Sequence, residues 1–556
     1  MGALMGLICL LLLCWFASII VIVIYKSTHE SARIKAMRFM PNLLPADTGQ
    51  RWTPNRDLRQ VTDEELGARA EAIKTLFVDT WQAYRQHAFG FDELLPLTNG
   101  TLNWLGAGLS ATLIDALDML YMLDMTEDIT TSREYIANSF HPSYNDQQLS
   151  FFEANIRIVG GLLSAHHQSG GDMLYLEKAI EVGELLLNAF DDTTNLPHSK
   201  VILSEGRPSK SALPQLYILA ESGTLLLEFN ELSRLSGRSI FATKAAACMK
   251  ALEKWRTPEG LYPLRMKTEA DASAATEYEI SVGALGDSFY EYLLKAYIHD
   301  GQRNEWLKDS YLNATNAIIE HLLQRSIPSG MLYLTQKKMK RRSKGKTMNE
   351  KIDGNDDDSA SSVLLEDYSR MDHLSCFAGG MLALGGSIFG RADHLQYAKE
   401  LAQTCYQMYV RTPSGLAPEY VQFYHGRDFE VPLAAESFQG RPEVLETLWI
   451  LHQLTGEHIY REWAWEITAN IIRHAQYHGV ACAVTSVMRT PFLCLDATPS
   501  YILAETLKYA WLLQLPPSTS QANKWNLTHW VFNTEGHPFP IEASRLHERL
   551  PAPISN

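Results

Sequence analysis

From about residue 66 to residue 516, apolar residues recur three and four positions apart almost without pause, and that period commits the chain to helices. Phe152, Ile156, Val159 and Leu163 mark one such face, and Ile218, Leu225, Phe229 and Leu232 another. Roughly thirteen or fourteen helical segments follow one another, beginning near 67, 107, 150, 174, 214, 241, 281, 304, 373, 393, 441, 458 and 501. Loops with Gly and Pro separate them, and strand-like stretches are short and confined to those loops. Paired helices at this spacing fit either an open solenoid or a closed helical barrel. Clean sequence repeats are absent, which disfavours the solenoid. No boundary interrupts the pattern, so we expect one all-α domain over 66–545 and a tail over 546–556. The 12 Trp, 24 Tyr and 20 Phe require a large packed core and exclude a mostly disordered chain. A net charge of −15 lacks the basic footprint of a nucleic-acid binder, so no nucleic-acid partner is expected.

The N-terminus reads differently. Met1 and Gly2 precede an uncharged apolar run from Ala3 to Ile24, which as a helix would be about 33 Å long and cross a bilayer core of about 30 Å. It ends without a small-residue cleavage site, so we read residues 3–25 as an uncleaved signal anchor. A multi-pass transporter is excluded, because no second segment of this kind follows. Residues 26–65, broken by Pro41, Pro45 and Pro54, read as a stem. Lys26, Arg33, Lys35 and Arg38 after the span would by charge alone keep the following chain cytoplasmic. The acceptor tripeptides at Asn99, Asn313 and Asn526 point instead to a lumenal, glycosylated domain. Cys9 and Cys14 lie in the apolar run, leaving Cys248, Cys376, Cys405, Cys482 and Cys494. These five form at most two disulfides, or remain as buried thiols. A basic run at 337–346 and acidic residues from Asp353 to Asp358 mark a solvated, disordered insert over about 337–362.

Phosphate-loop, dinucleotide and H-E-x-x-H patterns are absent, and no C-x-x-C pair offers a Cys-rich zinc site. What remains is acidic residues in apolar, Gly-bearing helices. Glu153 and Arg157 share a face ahead of Gly160-Gly161, as a surface ion pair or as a closely packed acid. A carboxyl in apolar surroundings has a raised pKa and can serve as a general acid. Asp287 and Glu291 repel at four-residue spacing unless solvated, with Lys295 compensating Glu291. Glu443 follows Pro442 where a helix dipole welcomes an anion, which by itself is a complete structural explanation. Thr534 and Glu535 lie in a polar turn after the last helix.

Eight blocks run in order along the chain: LIDALDMLYML (113–123), FFEANIRIVGGLLSAH (151–166), LEFNELSRLSG (227–237), GALGDSFYEYLLKAY (283–297), MDHLSCFAGGMLALG (371–385), RPEVLETLWIL (441–451), YILAETLKYAWLL (501–513) and FNTEGHP (532–538). Together they resemble the class I α-1,2-mannosidases, glycoside hydrolase family 47. The resemblance implies an (α/α)7 barrel behind a single-pass type II anchor, in the Golgi or endoplasmic reticulum membrane with the catalytic domain lumenal. It implies a Ca²⁺-dependent, inverting exo-α-1,2-mannosidase that trims high-mannose N-glycans on glycoproteins. Glu153 then matches the general acid, Glu443 the base, and Asp287 a third essential acid. Thr534 matches the Ca²⁺ ligand, through hydroxyl and carbonyl oxygens. Arg157, His373, Arg441, Glu446, Tyr501, Glu505 and Glu535 match residues around the pocket floor, and Cys376 with Cys405 the family's disulfide.

This assignment suits the residue types. An inverting enzyme holds its two carboxyls roughly 6.5–9.5 Å apart, with water between base and sugar. Calcium is a hard ion that takes oxygen ligands, sugar hydroxyls included. The chain departs from the family at Asn103–Ser110, where a GWGA-like run is usual. Leu285 stands where the narrow-specificity endoplasmic-reticulum subgroup has Arg, as in the Golgi-type enzymes that remove several mannoses. Cys482 and Cys494 have no counterpart in the pattern. The competing reading is a glycan-binding quality-control factor like the degradation-enhancing relatives, which typically lack the paired cysteines.

Overall fold

A computed structural model describes residues 61–105, 109–142, 148–202, 207–208, 216–267, 277–341 and 363–542. The expected anchor over 3–25, the stem up to residue 60, the insert over 342–362 and the tail over 546–556 lie outside the described residues. Among the described residues no helix is long and apolar enough to cross a membrane.

The helices alternate between an outer and an inner layer. The outer ones are α1 (Asp63–His87), α3 (Thr126–Asn138), α5 (Met173–Leu187), α7 (Ile240–Glu253), α9 (Glu305–His321), α11 (Ala392–Val410) and α13 (Ile459–His474). The inner ones interleave with these along the chain. They are α2 (Ala111–Met122), α4 (Phe151–Glu153, a π-helical stretch Ala154–Val159, then Gly160–Gln168) and α6 (Leu226–Ser236). They continue with α8 (Asp287–His299), α10 (Phe377–Phe389), α12 (Glu443–Thr455) and α14 (π-helical Ile502–Thr506, then Leu507–Gln514). Each inner helix packs on the next, and α14 packs back on α2, closing a ring. Burial follows the layers. Every residue of α8 from Ser288 to His299 is buried, whereas α3 buries only Asp128, Ser132 and Ile136. An inner helix touches neighbours on all sides and must be apolar or internally paired all round, while an outer helix needs one apolar stripe.

The first and last parts of the chain are joined by charge as well as packing. Arg69 on α1 is buried between Glu65 and Glu462, with Nη1 2.7 Å from Glu462 Oε1 on α13. Side-chain oxygens of Thr62, Ser150, Asp172 and Asn304 cap the starts of α1, α4, α5 and α9. Left-handed Gly237, Gly390 and Gly456 end α6, α10 and α12. The strands form antiparallel sheets of only two or three strands in the connections.

Several expectations need correction. Ile218 does not share a helix with Leu225, Phe229 and Leu232; it pairs with Arg265 in a short strand, and the chain breaks again at Thr224 before α6 begins. The segment expected to begin near 281 starts as a helix only at Asp287, and α1 begins at Asp63, inside the stretch assigned to the stem. The basic run does not start as a loop: Gln336–Arg341 is a strand paired with Val363–Tyr368 on one side and Glu277–Ile280 on the other. Apolar periodicity cannot register such a strand, because its pairing partners are remote in sequence. The Cys376–Cys405 disulfide is present and ties the start of α10 to α11. A second joins Cys482 to Cys494, and Cys248 is a buried free thiol. Of the acceptor asparagines, Asn99 is exposed between two short strands, Asn313 is exposed on α9, and Asn526 is half-buried with Nδ2 2.6 Å from the Asn523 carbonyl.

The Gly160-Gly161 pair serves close packing, though not around Glu153. A Cβ on Gly160 would lie 2.6 Å from Asn533 Nδ2, so glycine admits the turn 533–537 against α4. Gly67 on α1 has only Pro516 Cγ at 3.9 Å. Gly160→Ala should therefore destabilise the protein by about 1–3 kcal/mol through overpacking, while Gly67→Ala is neutral or stabilising by about 0.5–1 kcal/mol. Denaturant unfolding of the two variants checks this, and equal effects would contradict it.

Candidate active site

Ring closure brings several helix starts to one place. Glu153 ends the first turn of α4, Asp287 opens α8 and Glu443 opens α12, so partial positive charge from unpaired backbone N–H groups faces each acid. Two π-helical stretches add to them. Such bulges shift the side chains that follow out of α-helical register and recur at functional sites. Here they carry Arg157 and Glu505. The turn 533–537, between the paired strands Trp530–Phe532 and Pro538–Pro540, brings in Thr534 and Glu535.

These groups line a cavity of about 300 Å³. Eleven of the site residues expected from sequence line it: Glu153, Arg157, Leu285, Asp287, Arg441, Glu443, Glu446, Tyr501, Glu505, Thr534 and Glu535. His373 stands behind them, with Nδ1 2.7 Å from Glu443 Oε2 and Nε2 2.8 Å from Tyr409 Oη. In total eight carboxyl groups and two guanidinium groups face the cavity, an excess of negative charge that sets its chemistry.

The acids differ in state. Burial alone would raise the Glu443 carboxyl, but His373, by hydrogen bond and charge, and Arg441 outweigh it and hold Glu443 below the usual carboxylate range. Burial pushes Asp287 up to about 7, helped by Glu291 and Glu443 nearby. Glu446 is likewise raised to about 7 by burial, against the opposing pull of Lys295, whose Nζ is 2.9 Å away. Glu505 and Glu535 are raised well above their ordinary value by burial, Glu505 also by the charge of Glu535. Glu153 is not in apolar surroundings: Arg157 Nε donates to it at 2.7 Å. This ion pair is inside the cavity rather than on the surface, because Arg157 is 7 % exposed and also contacts Asp115, Ser500 and Glu535. Lys295 does compensate Glu291, but in the interior rather than in solvent, while Asp287 is half-buried at the cavity wall. Leu285 holds a left-handed φ of 73° at the cavity wall, its carbonyl accepting the Ala220 N–H at 2.9 Å.

Sequence reading passed over Glu221 and took Glu291 only as a charged neighbour of Asp287; both also line the cavity. Glu221 is a lone acid in the otherwise uncharged turn Leu219–Gly223, and that isolation was the available signal. Among the described residues, no three His, Cys, Asp or Glu side chains gather to hold a metal by themselves. The floor nevertheless offers oxygens without partners. Thr534 Oγ1 and carbonyl make no hydrogen bond among the described residues, and the buried Glu505 carboxylate has neither a hydrogen bond nor an ion pair.

Residues 76–541 match the family model for glycosyl hydrolase family 47. The chain is 34% identical to "Mannosyl-oligosaccharide alpha-1,2-mannosidase IA" of Spodoptera frugiperda, over 88% of this chain and 70% of that protein. It is also 34% identical to "Mannosyl-oligosaccharide 1,2-alpha-mannosidase IC" of Homo sapiens, over 88% of this chain and 73% of the relative. Among solved structures it resembles an α-1,2-mannosidase from Trichoderma reesei, with a TM-score of 0.73 and 25% identity over 86% of this chain and 99% of that one.

The Glu443 environment gives a direct test. His373→Ala removes the hydrogen bond and charge that oppose burial, so Glu443 should titrate at higher pH than in the wild type. Carboxyl NMR of both proteins measures this, and an unmoved titration would contradict the assignment.

Proposed function

Because the chain belongs to glycosyl hydrolase family 47, we infer that it removes terminal α-1,2-linked mannose from mannosyl-oligosaccharides, the high-mannose glycans of glycoproteins. The observation that carries this reading is the acid-lined cavity inside the helical ring, where Glu443 is held below the usual carboxylate range while burial raises Asp287 to about 7. The Cys376–Cys405 disulfide favours an enzyme over a glycan-binding relative that lacks the pair. We also read the chain as an anchored protein of the Golgi or endoplasmic reticulum with this domain lumenal, and Asn99, exposed in a loop, as its best glycan acceptor.

We assign the chemistry as follows. Glu443, kept ionised by His373 and Arg441, takes a proton from water as the water oxygen bonds to the anomeric carbon. The bond from that carbon to the glycosidic oxygen breaks on the opposite face, and the leaving hydroxyl gains a proton. Glu153 has the place of that acid in the family pattern. Asp287 keeps a second proton in the pocket up to about pH 7. Arg157 steadies Glu153 and Glu535 from the buried side.

Calcium fits this donor set. Thr534 would hold it through its hydroxyl and carbonyl, with Glu446, Glu505 and Glu535 around it, and a divalent ion would relieve the unpaired negative charge there. When bound, such an ion orients sugar hydroxyls and opposes the repulsion among the carboxylates.

The measurement is the product ladder from a nine-mannose glycan. Glu443→Gln should slow it by about 10²–10⁴-fold, since Gln keeps the shape but cannot take the proton. Leu285 offers no donor to sugar hydroxyls, so the natural protein should trim to about five mannoses. Leu285→Arg should favour one linkage by about one to two powers of ten in relative rate. A natural protein that stalls after one mannose would contradict the specificity argument, and a fully active Glu443→Gln protein the chemistry.

A further inference from the structure

The turn that carries Thr534 is held by an elaborate buried apparatus that never reaches the cavity. Asn533 Oδ1 accepts the N–H groups of Glu535 at 3.0 Å and His537 at 2.8 Å, which shapes the turn from within. Its Nδ2 donates to Glu228 Oε1 on α6 at 2.8 Å and to the Ile156 carbonyl on α4 at 2.9 Å. Tyr292 of α8 completes this flank, since its hydroxyl donates to Glu228 Oε1 at 2.6 Å and accepts the Thr534 N–H at 3.4 Å. On the other flank, Lys508 Nζ of α14 donates to the Gly536 carbonyl at 2.6 Å and to Asp118 Oδ2 of α2 at 2.7 Å. His537 Nδ1 lies 2.9 Å from the same Asp118 oxygen.

Glu228, Tyr292, Asp118, Lys508, Asn533 and His537 are all fully buried, and none of them lines the cavity. They cannot touch a glycan, so their effect on it must pass through the turn. Burying charged groups this deeply is unfavourable unless each finds partners, and here nearly every partnership ends on the backbone or the flanks of one five-residue turn. The turn also packs closely on α14, because a Cβ on Gly536, which sits at φ 72°, would meet Glu505 Cγ at 3.0 Å. Of the six, the side chain of Tyr292 is the one that hydrogen-bonds Thr534 directly among the described residues.

We propose that Tyr292, Glu228 and Asp118 are positioning residues that fix the hydroxyl and carbonyl of Thr534 for a divalent cation, by clamping the turn 533–537 from both sides. The inference rests on the calcium reading above. Partners behind a metal ligand that orient it typically contribute about 10–100-fold to metal affinity.

The test uses the purified protein, stripped with chelator and titrated with calcium by calorimetry, with thermal melting in both states. Tyr292→Phe keeps the ring in its packed site and removes only the hydroxyl, and Asp118→Asn loosens the opposite flank. Both should bind calcium about tenfold or more weakly. Both should also show a smaller calcium-induced rise in melting temperature than the wild type. A purely structural role would lower both melting curves by the same amount and leave affinity unchanged, and that result overturns the proposal alone. Absence of calcium binding by the wild-type protein overturns the calcium reading and the proposal with it.

Discussion

Repulsion among buried carboxylates is the constraint that organises this molecule. Among the described residues eight acids and two guanidinium groups surround one cavity, and Glu291, Glu446, Glu505 and Glu535 are buried there, which an ordinary interior would not tolerate. Six of the eight acids are held by a specific partner or by a proton. Glu443 has His373 and Arg441, Glu446 and Glu291 have Lys295, Glu153 and Glu535 have Arg157, and Asp287 takes up a proton in the neutral range. Glu505 is left without a hydrogen bond or ion pair among the described residues, on the same cavity floor as the open oxygens of Thr534, and Glu221 Oε2 is also buried without a partner. The same imbalance leaves Glu443 below the usual carboxylate range while Asp287 and Glu446 are raised to about 7.

The ring of helices is what makes this arrangement affordable in geometry. Among the described residues, the starts of α4, α8, α10, α12 and α14, with the π-helical stretches of α4 and α14, come to a common space, so acids remote in sequence become neighbours without a long loop between them. The outer layer seals the inner one, and the Arg69–Glu462 pair closes the seam between the first and last parts of the described chain. Precision at the floor comes from the interior rather than from the pocket wall, through contacts on Asn533, Gly536 and His537.

Much of the architecture was legible in the apolar period, because helices touching neighbours on every side leave long apolar segments such as Phe377–Phe389. The site was legible as blocks rather than as spacing: Glu443 alone has a sufficient structural explanation as a helix-start anion, and only its company gives it chemistry. What the sequence hid depends on tertiary pairing. Ile218 has apolar character that suits either a helix or a strand, and its strand partner Arg265 decides. Lys337 to Arg341 look like a solvated charge run until the flanking strands are seen. The Glu153–Arg157 pair is readable from its four-residue spacing, but its place inside the cavity rather than on the surface is not, because that depends on the remote partners Asp115, Ser500 and Glu535. Glu221, the Cys482–Cys494 bridge and the left-handed Leu285 left no periodic signal.

The central claim is that Glu443 activates a water molecule that attacks the sugar directly, without a covalent intermediate. The most direct measurement is the configuration of the first mannose released, followed by proton NMR in the minutes before mutarotation. Direct attack by water inverts the anomeric centre, so β-mannose should appear first and α-mannose only as the anomers equilibrate. If α-mannose is the first product, a carboxylate of the cavity acts as a nucleophile, and the account of Glu443 is wrong.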